Sequence, residues 1–173
     1  MPAAEFLPLD PSAINVKTFD CGKNAINTYL RRFAAKNMAL NLNRTFVLSY
    51  TTEDSAEKPQ VAAYYTLAHQ TLVREVLPDP SRLPRYPAPV ILLAQLGIDL
   101  RFHRQGLGAK TLVYALRHAY RIASNPKGLP AMGVVLDVLD QDALAFYQSF
   151  EFFLPLTDNP MKLFVPMASL ETL

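Results

Sequence analysis

The chain has 173 residues, half of them apolar, with a net charge of +2; that describes one globular domain spanning 1–173, with a core of its own, and excludes a fibrous or disordered chain. No run approaches a membrane span, and the opening MPAAEFLPLD lacks the basic and apolar regions of a secretion signal. A lone cysteine, Cys21, excludes an internal disulfide framework and suits a reducing, cytoplasmic setting, while the scattered His69, His103 and His118 predict no metal site.

In chain order, residues 3–9 predict a short first strand. Residues 24–42 carry Ile26, Tyr29, Leu30, Phe33, Ala34 and Met38 at helical spacing, and the Asp20–Lys23 stretch before them supplies turn and cap chemistry. TFVLSY at 45–50 and VAAYYTL at 61–67 are β-branched and aromatic and predict a hairpin. Residues 71–89 hold Pro78, Pro80, Pro84, Pro87 and Pro89, so they form a stiff surface connection that exposes Arg85 and Tyr86. A strand over 90–98 leads into a helix over 105–122 with Leu112, Val113, Leu116, Ala119 and Tyr120 on its buried face. A strand over 132–139 and a short helix over 141–150, capped by Asp140, follow. Strands at 152–156 and 161–166 close the chain. An antiparallel first half and a strand–helix–strand second half predict a mixed α/β layer containing one parallel pair.

Charge is unevenly spread. Lys23, Arg31, Arg32, Lys36 and Arg44 fall in an acid-free stretch from 21 to 52, and Arg101, Arg104, Lys110, Arg117, Arg121 and Lys127 in another from 100 to 136. Two helices with solvated basic faces account for this, and so does a positive surface for a polyanion; charge separation alone does not choose. Cys21 has no legible histidine partner and reads as a small buried hydrophobe.

The most informative stretch is ILLAQLGIDLRFHRQGLGAK, residues 91–110: an apolar strand, a tight glycine turn and a helix start. Such a unit aims several backbone N–H groups at one spot, where the helix dipole favours an anion. A Walker loop is excluded because Gly-Lys-Ser/Thr is missing, and a dinucleotide fingerprint lacks its first glycine and its acidic partner. What survives is a short pyrophosphate cradle built from the amides of Gln105, Gly106, Leu107, Gly108 and Ala109, with Arg104 and Lys110 adding charge.

On the sequence His103-Arg-Gln-Gly-Leu-Gly, the chain resembles the GNAT superfamily of acetyl-CoA-dependent N-acetyltransferases, whose signature is Gln/Arg-x-x-Gly-x-Gly/Ala after the fourth strand. More narrowly, it resembles the bacterial toxins that acetylate aminoacyl-tRNA and are encoded beside a ribbon–helix–helix antitoxin. The shared landmarks run over nearly the whole chain: Phe19-Asp-Cys-Gly with Tyr29-Leu-Arg, Thr45-Phe-Val, Tyr64-Tyr-Thr-Leu, Leu83-Pro-Arg-Tyr-Pro, Gln105-Gly-Leu-Gly and Ala145-Phe-Tyr-Gln-Ser-Phe.

The resemblance implies a GNAT fold: a central mixed sheet of six to seven strands with about four helices and a splayed strand pair that holds acetyl-CoA. It implies that backbone groups of Leu96 and Ile98 pair with the pantetheine arm, that His103 through Ala109 hold the pyrophosphate, and that Tyr147 gives a proton to the departing thiolate. Arg31, Arg32, Lys36 and Arg85 become candidates for contact with tRNA, no metal is required, and an antitoxin is an expected partner. Apart from the resemblance, the apolar tail at 161–173 offers a surface for a second copy of the chain. His103 departs from the signature's Gln or Arg. Glu151 replaces the glycine usual in Phe-Gly-Phe, which is costly if that position needs positive φ. Gln95 and Gly97 also depart from the usual strand pattern. Two other readings stand beside the toxin: an acetyltransferase of a metabolite or protein amine, and a non-catalytic protein that binds CoA or an antitoxin.

Overall fold

The computed structural model describes residues 2–54 and 56–173. Its strands are β1 (Leu7–Pro8), β2 (Arg44–Tyr50), β3 (Gln60–Leu72), β4 (Ala88–Ile98), β5 (Gly133–Asp137), β6 (Leu154–Leu156) and β7 (Asn159–Pro166). Its helices are α1 (Asn24–Thr28), α2 (Ala34–Ala39), α3 (Leu107–Ser124) and α4 (Gln141–Gln148). The strands form one seven-stranded sheet in the order β1-β2-β3-β4-β5-β7-β6, the mixed sheet expected. Two compact units divide the chain, Met1–Ala68 with Gln95–Tyr114 and His69–Ala94 with Ala115–Leu173, and β3, β4 and α3 each run through both.

The first unit holds the hairpin. β2 and β3 pair antiparallel, with Phe46 opposite Tyr65 and Arg44 opposite Leu67. The first strand is shorter than expected: Leu7 and Pro8 pair with β2, while Pro2 makes just an isolated bridge to Tyr50. The core gathers Leu9, Phe19, Leu30, Ala34, Val47, Val61 and Tyr64. Phe19 meets Tyr64 edge to face at 5.3 Å. The Tyr64 hydroxyl donates to the Ile26 carbonyl at 2.7 Å, which ties the helical segment to the sheet. Gly97 permits this packing, since a Cβ there would lie 2.7 Å from Ile26 and 3.2 Å from both Phe19 and Tyr64.

The helix expected over 24–42 is present but interrupted. Residues Tyr29–Phe33 between α1 and α2 form a π turn, closed by the Ala34 amide donating to the Tyr29 carbonyl. The preceding turn uses Asp20, whose Oδ1 accepts from the Gly22 amide at 2.9 Å, but Lys23 stands at the N-cap without a side-chain cap bond. Turn chemistry was legible there and capping was not. Cys21 is buried, and burial raises its thiol pKa, which makes it an inert hydrophobe.

In the second unit β4 and β5 run parallel, pairing Ile91 with Val134 and Leu92 with Val135; among the described residues the later part of β4 has no register partner on β5. β5 pairs antiparallel with β7, and β7 with β6. Leu77, Ala88, Val90, Val135, Leu156 and Phe164 form the core. The proline-rich connection is exposed at Arg85 and Tyr86, as expected, yet it is pinned at Leu77, which is buried. No helix among the described residues is long and apolar enough to cross a membrane.

Candidate active site

The glycine turn lies in the first unit, at the end of β4. A 3-10 turn, Leu100–Phe102, follows the strand and α3 begins at Leu107. Between them the backbone enters the left-handed region twice, at Arg104 (φ 61°) and Gly106 (φ 77°). Gly106 bears this without strain, whereas a non-glycine residue there costs roughly 1–2 kcal/mol. Arg104 holds such a conformation while exposed, so the surrounding loop dictates it. Left-handed residues in a tight turn can aim neighbouring amides to one side, the backbone arrangement of an anion-binding concavity. Space beyond Gly106 is open, for no atom lies within 4 Å of where a Cβ would stand.

The first turn of α3 adds its unpaired amides and carries no acid to repel an anion. The Lys110 amide donates to the Gly106 carbonyl at 3.2 Å and Thr111 Oγ1 to the Leu107 carbonyl at 2.7 Å, so the helix is well formed from its start. Exposed Arg104 and Lys110 supply positive charge. The donor set suits a pyrophosphate.

Two side chains of the turn are occupied within the loop. His103 Nε2 lies 2.7 Å from the Ile98 carbonyl, so that nitrogen carries the proton and donates; the ring turns back on the strand end. Gln105 Nε2 donates to the Arg101 carbonyl at 3.3 Å. Leu96 and Ile98 are half-buried at the end of β4, with buried Gly97 between them.

Tyr147 lies in the second unit, in the last turn of α4. Asp140 caps that helix as expected, its Oδ1 accepting from the Ala143 amide at 2.9 Å. Tyr147 is 8% exposed, edge-on to Phe146 at 5.2 Å and to Phe153 at 5.7 Å. Burial pushes its phenol up to about 12, so the hydroxyl keeps its proton well past the ordinary tyrosine range. Glu151 is exposed and does not adopt positive φ, so the glycine it replaces is not needed for backbone freedom here.

Arg31 and Arg32 fall in the π turn and Lys36 in α2, all three exposed. Arg31 donates to the Phe19 carbonyl, which anchors its guanidinium beside the turn at 19–22. Arg85 is exposed on the proline-rich connection. Sequence reasoning missed the buried carboxylate of Asp99, whose oxygens take the Arg101 and Asp20 amides. The available signal was an acid set between an apolar strand and a basic loop. Among the described residues no cluster of His, Cys, Asp or Glu is arranged to hold a metal.

No protein-family model matches the chain. It is 31% identical, over 163 residues, to the tRNA-acetylating toxin of Mycobacterium tuberculosis, spanning 90% of this chain and 87% of that protein. It is similar to the solved structure of AtaT complexed with acetyl-methionyl-tRNAfMet, with a TM-score of 0.84, 26% identity and 97% of each chain covered. It is also similar to a Tyr-to-Phe variant of AtaT bound to the C-terminus of the antitoxin AtaR and acetyl-CoA, with a TM-score of 0.78, 26% identity, and 97% of this chain and 96% of that one covered.

Proposed function

This chain belongs to the GNAT-type family of tRNA-acetylating toxins, and we propose from that footing that it moves acetyl from acetyl-CoA to the amino group of aminoacyl-tRNA and so blocks translation. The observation that carries the reading is the paired left-handed backbone at Arg104 and Gly106 directly before α3. The amides of residues 105–109, with Arg104 and Lys110, hold the pyrophosphate. Leu96 and Ile98 offer main-chain groups to the pantetheine arm. The His103 ring serves the loop by donating to the Ile98 carbonyl rather than reaching outward.

Tyr147 is the general acid. The amine nitrogen forms its bond to the acetyl carbon, the carbon–sulfur bond breaks, and the Tyr147 hydroxyl passes its proton to the departing sulfur; the proton that the nitrogen sheds on becoming an amide restores the phenol, so the net products are the acetylated amine and free thiol. A phenol held near 12 is fully protonated at neutral pH and adds no charge to the site. The attacking amine must be neutral. The amine of an aminoacyl ester is less basic than that of lysine, so no strong protein base is needed, and Glu151 stays a solvated carboxylate.

Arg31, Arg32, Lys36 and Arg85 track the phosphates of tRNA. Residues 1–173 act as one acetyltransferase domain, a reading supported by the strands and helix common to both compact units. We assign the chain to the cytoplasm, where aminoacyl-tRNA is found, with a ribbon–helix–helix antitoxin and a second copy of itself as protein partners. Leu163, Val165 and Leu170 near the C-terminus are buried in their own chain, so a dimer contact falls on other residues.

The test is transfer of labelled acetyl from acetyl-CoA to total aminoacylated tRNA by wild type and Tyr147→Phe. Label on the aminoacyl group that falls about a hundredfold in the variant supports the reading. Turnover with small amines and none with tRNA assigns a metabolite enzyme instead. Lys36→Glu and Arg85→Glu are expected to cut tRNA acetylation about tenfold at physiological salt while sparing a small amine.

A further inference from the structure

We propose that Asp99 is the positioning residue of the acetyl-CoA loop, bracing its entrance against the turn at residues 20–22. The inference rests on reading residues 105–109 as the pyrophosphate cradle. Asp99 is 3% exposed, and a carboxylate that deep persists only where its oxygens are well used. Oδ1 accepts from the Arg101 amide at 2.9 Å, the second residue of the loop, and Oδ2 accepts from the Asp20 amide at 3.1 Å.

A return bond completes the brace: the Leu100 amide donates to the Asp20 carbonyl at 2.8 Å. The Asp99 amide itself donates to the Ala62 carbonyl on β3 at 2.9 Å. Two backbone segments 79 residues apart in sequence are thereby stitched together just before the left-handed pair at Arg104 and Gly106. Arg104, Gln105 and Gly106 are all exposed, and the side-chain bonds of His103 and Gln105 run back to the Ile98 and Arg101 carbonyls at the loop's base. The orientation of the cradle amides is therefore referred to that base, and Asp99 supplies the charge-assisted bonds that fix it to the rest of the unit.

The turn at 20–22 has its own bonds, which serve as the control. Asn27 Oδ1 accepts from the Cys21 amide at 2.8 Å, and Asn27 Nδ2 donates to Asp20 Oδ1 at 2.9 Å. Neither touches the loop. Asn27→Ala therefore loosens the turn alone, whereas Asp99→Asn keeps the size of the side chain but turns one of its two acceptors into a donor facing an amide.

Both variants of the full chain are measured for acetyl-CoA dissociation constant by calorimetry, for KM toward acetyl-CoA and aminoacyl-tRNA, and for melting temperature. Asp99→Asn is expected to weaken acetyl-CoA about tenfold and leave KM for tRNA unchanged. Asn27→Ala is expected to lower the melting temperature with acetyl-CoA affinity intact. Wild-type affinity in Asp99→Asn, or equal loss of affinity in the two variants, overturns the proposal. Should Asp99→Asn fail to fold, Asp99→Glu keeps both oxygens on a longer arm and is read the same way. Gly106→Val separates the two levels of the argument: if it leaves acetyl-CoA binding unchanged, the cradle reading itself fails. If it weakens binding and Asp99→Asn does not, only the role of Asp99 fails.

Discussion

The loop at residues 99–106 and the helix that carries Tyr147 solve opposite problems with opposite means. The loop is exposed and polar, and it gets its shape from backbone: two left-handed residues, a buried carboxylate at its base, and a histidine ring turned onto the strand end. Tyr147 sits among Phe146, Phe150, Phe152 and Phe153, a chain of aromatic contacts in which the ring pairs lie 4.9 to 6.5 Å apart. Holding an anion calls for N–H groups aimed outward, which only backbone conformation can aim. Keeping an acid protonated calls for the removal of water around it, which only packing can do. On the function proposed, affinity for acetyl-CoA and acid strength are therefore set by separate parts of the chain.

The largest effect expected from breaking this division is on the aromatic side. Phe153 is buried against Tyr147, so Phe153→Ala should destabilise the fold by about 3 kcal/mol and let water reach the phenol. The tyrosine should then titrate below its present value of about 12, read by ultraviolet difference absorbance, with acetyl-CoA affinity unchanged. The same shift has a stability signature. A phenol raised above its unfolded value of 10.0 stabilises the fold fully below pH 10 and loses that contribution between pH 10 and about 12, so Tyr147→Phe should flatten the alkaline decline of melting temperature.

Next in size is the backbone side. A β-branched residue at Gly106, where φ is 77°, adds roughly 1–2 kcal/mol of strain. Gly106→Val should therefore weaken acetyl-CoA about tenfold by calorimetry while the tyrosine titration stays where it is. If instead Gly106→Val moved the titration and Phe153→Ala moved the affinity, the two regions would not be independent.

The smallest effect sharpens the comparison. Glu151 stands where relatives by resemblance have glycine, yet its φ is not positive, so Glu151→Gly should gain no activity. It should cost roughly half a kcal/mol of stability, seen in a denaturant melt, through greater freedom of the unfolded chain. A large gain in acetyl transfer would mean that the carboxylate itself hinders the site.

Much of the fold was legible because its signals are local. Alternating β-branched residues marked the hairpin, although β3 runs on to Leu72, and Asp140 marked the start of α4. The tight turn ahead of α3 was legible from Gly106 and Gly108 at the head of an amphipathic pattern. The role proposed for Tyr147 was not legible from periodicity, since an aromatic on a short helix reads as core; it came from the resemblance. The π turn at Tyr29–Phe33 left no local mark either, and the sequence reads as one continuous helix there.

What the sequence alone determined is the order of elements and the place of the glycine turn, because caps, glycine conformations and hydrophobic periods act over a few residues. The tertiary structure decided the rest: Asp99 reaching across to the Asp20 amide, Ile26 seated on Gly97, and the reduction of the first strand to Leu7 and Pro8. Each depends on groups distant in sequence meeting at hydrogen-bond or van der Waals distance. Residue types predict what such groups want, and only the packed chain decides which of them meet.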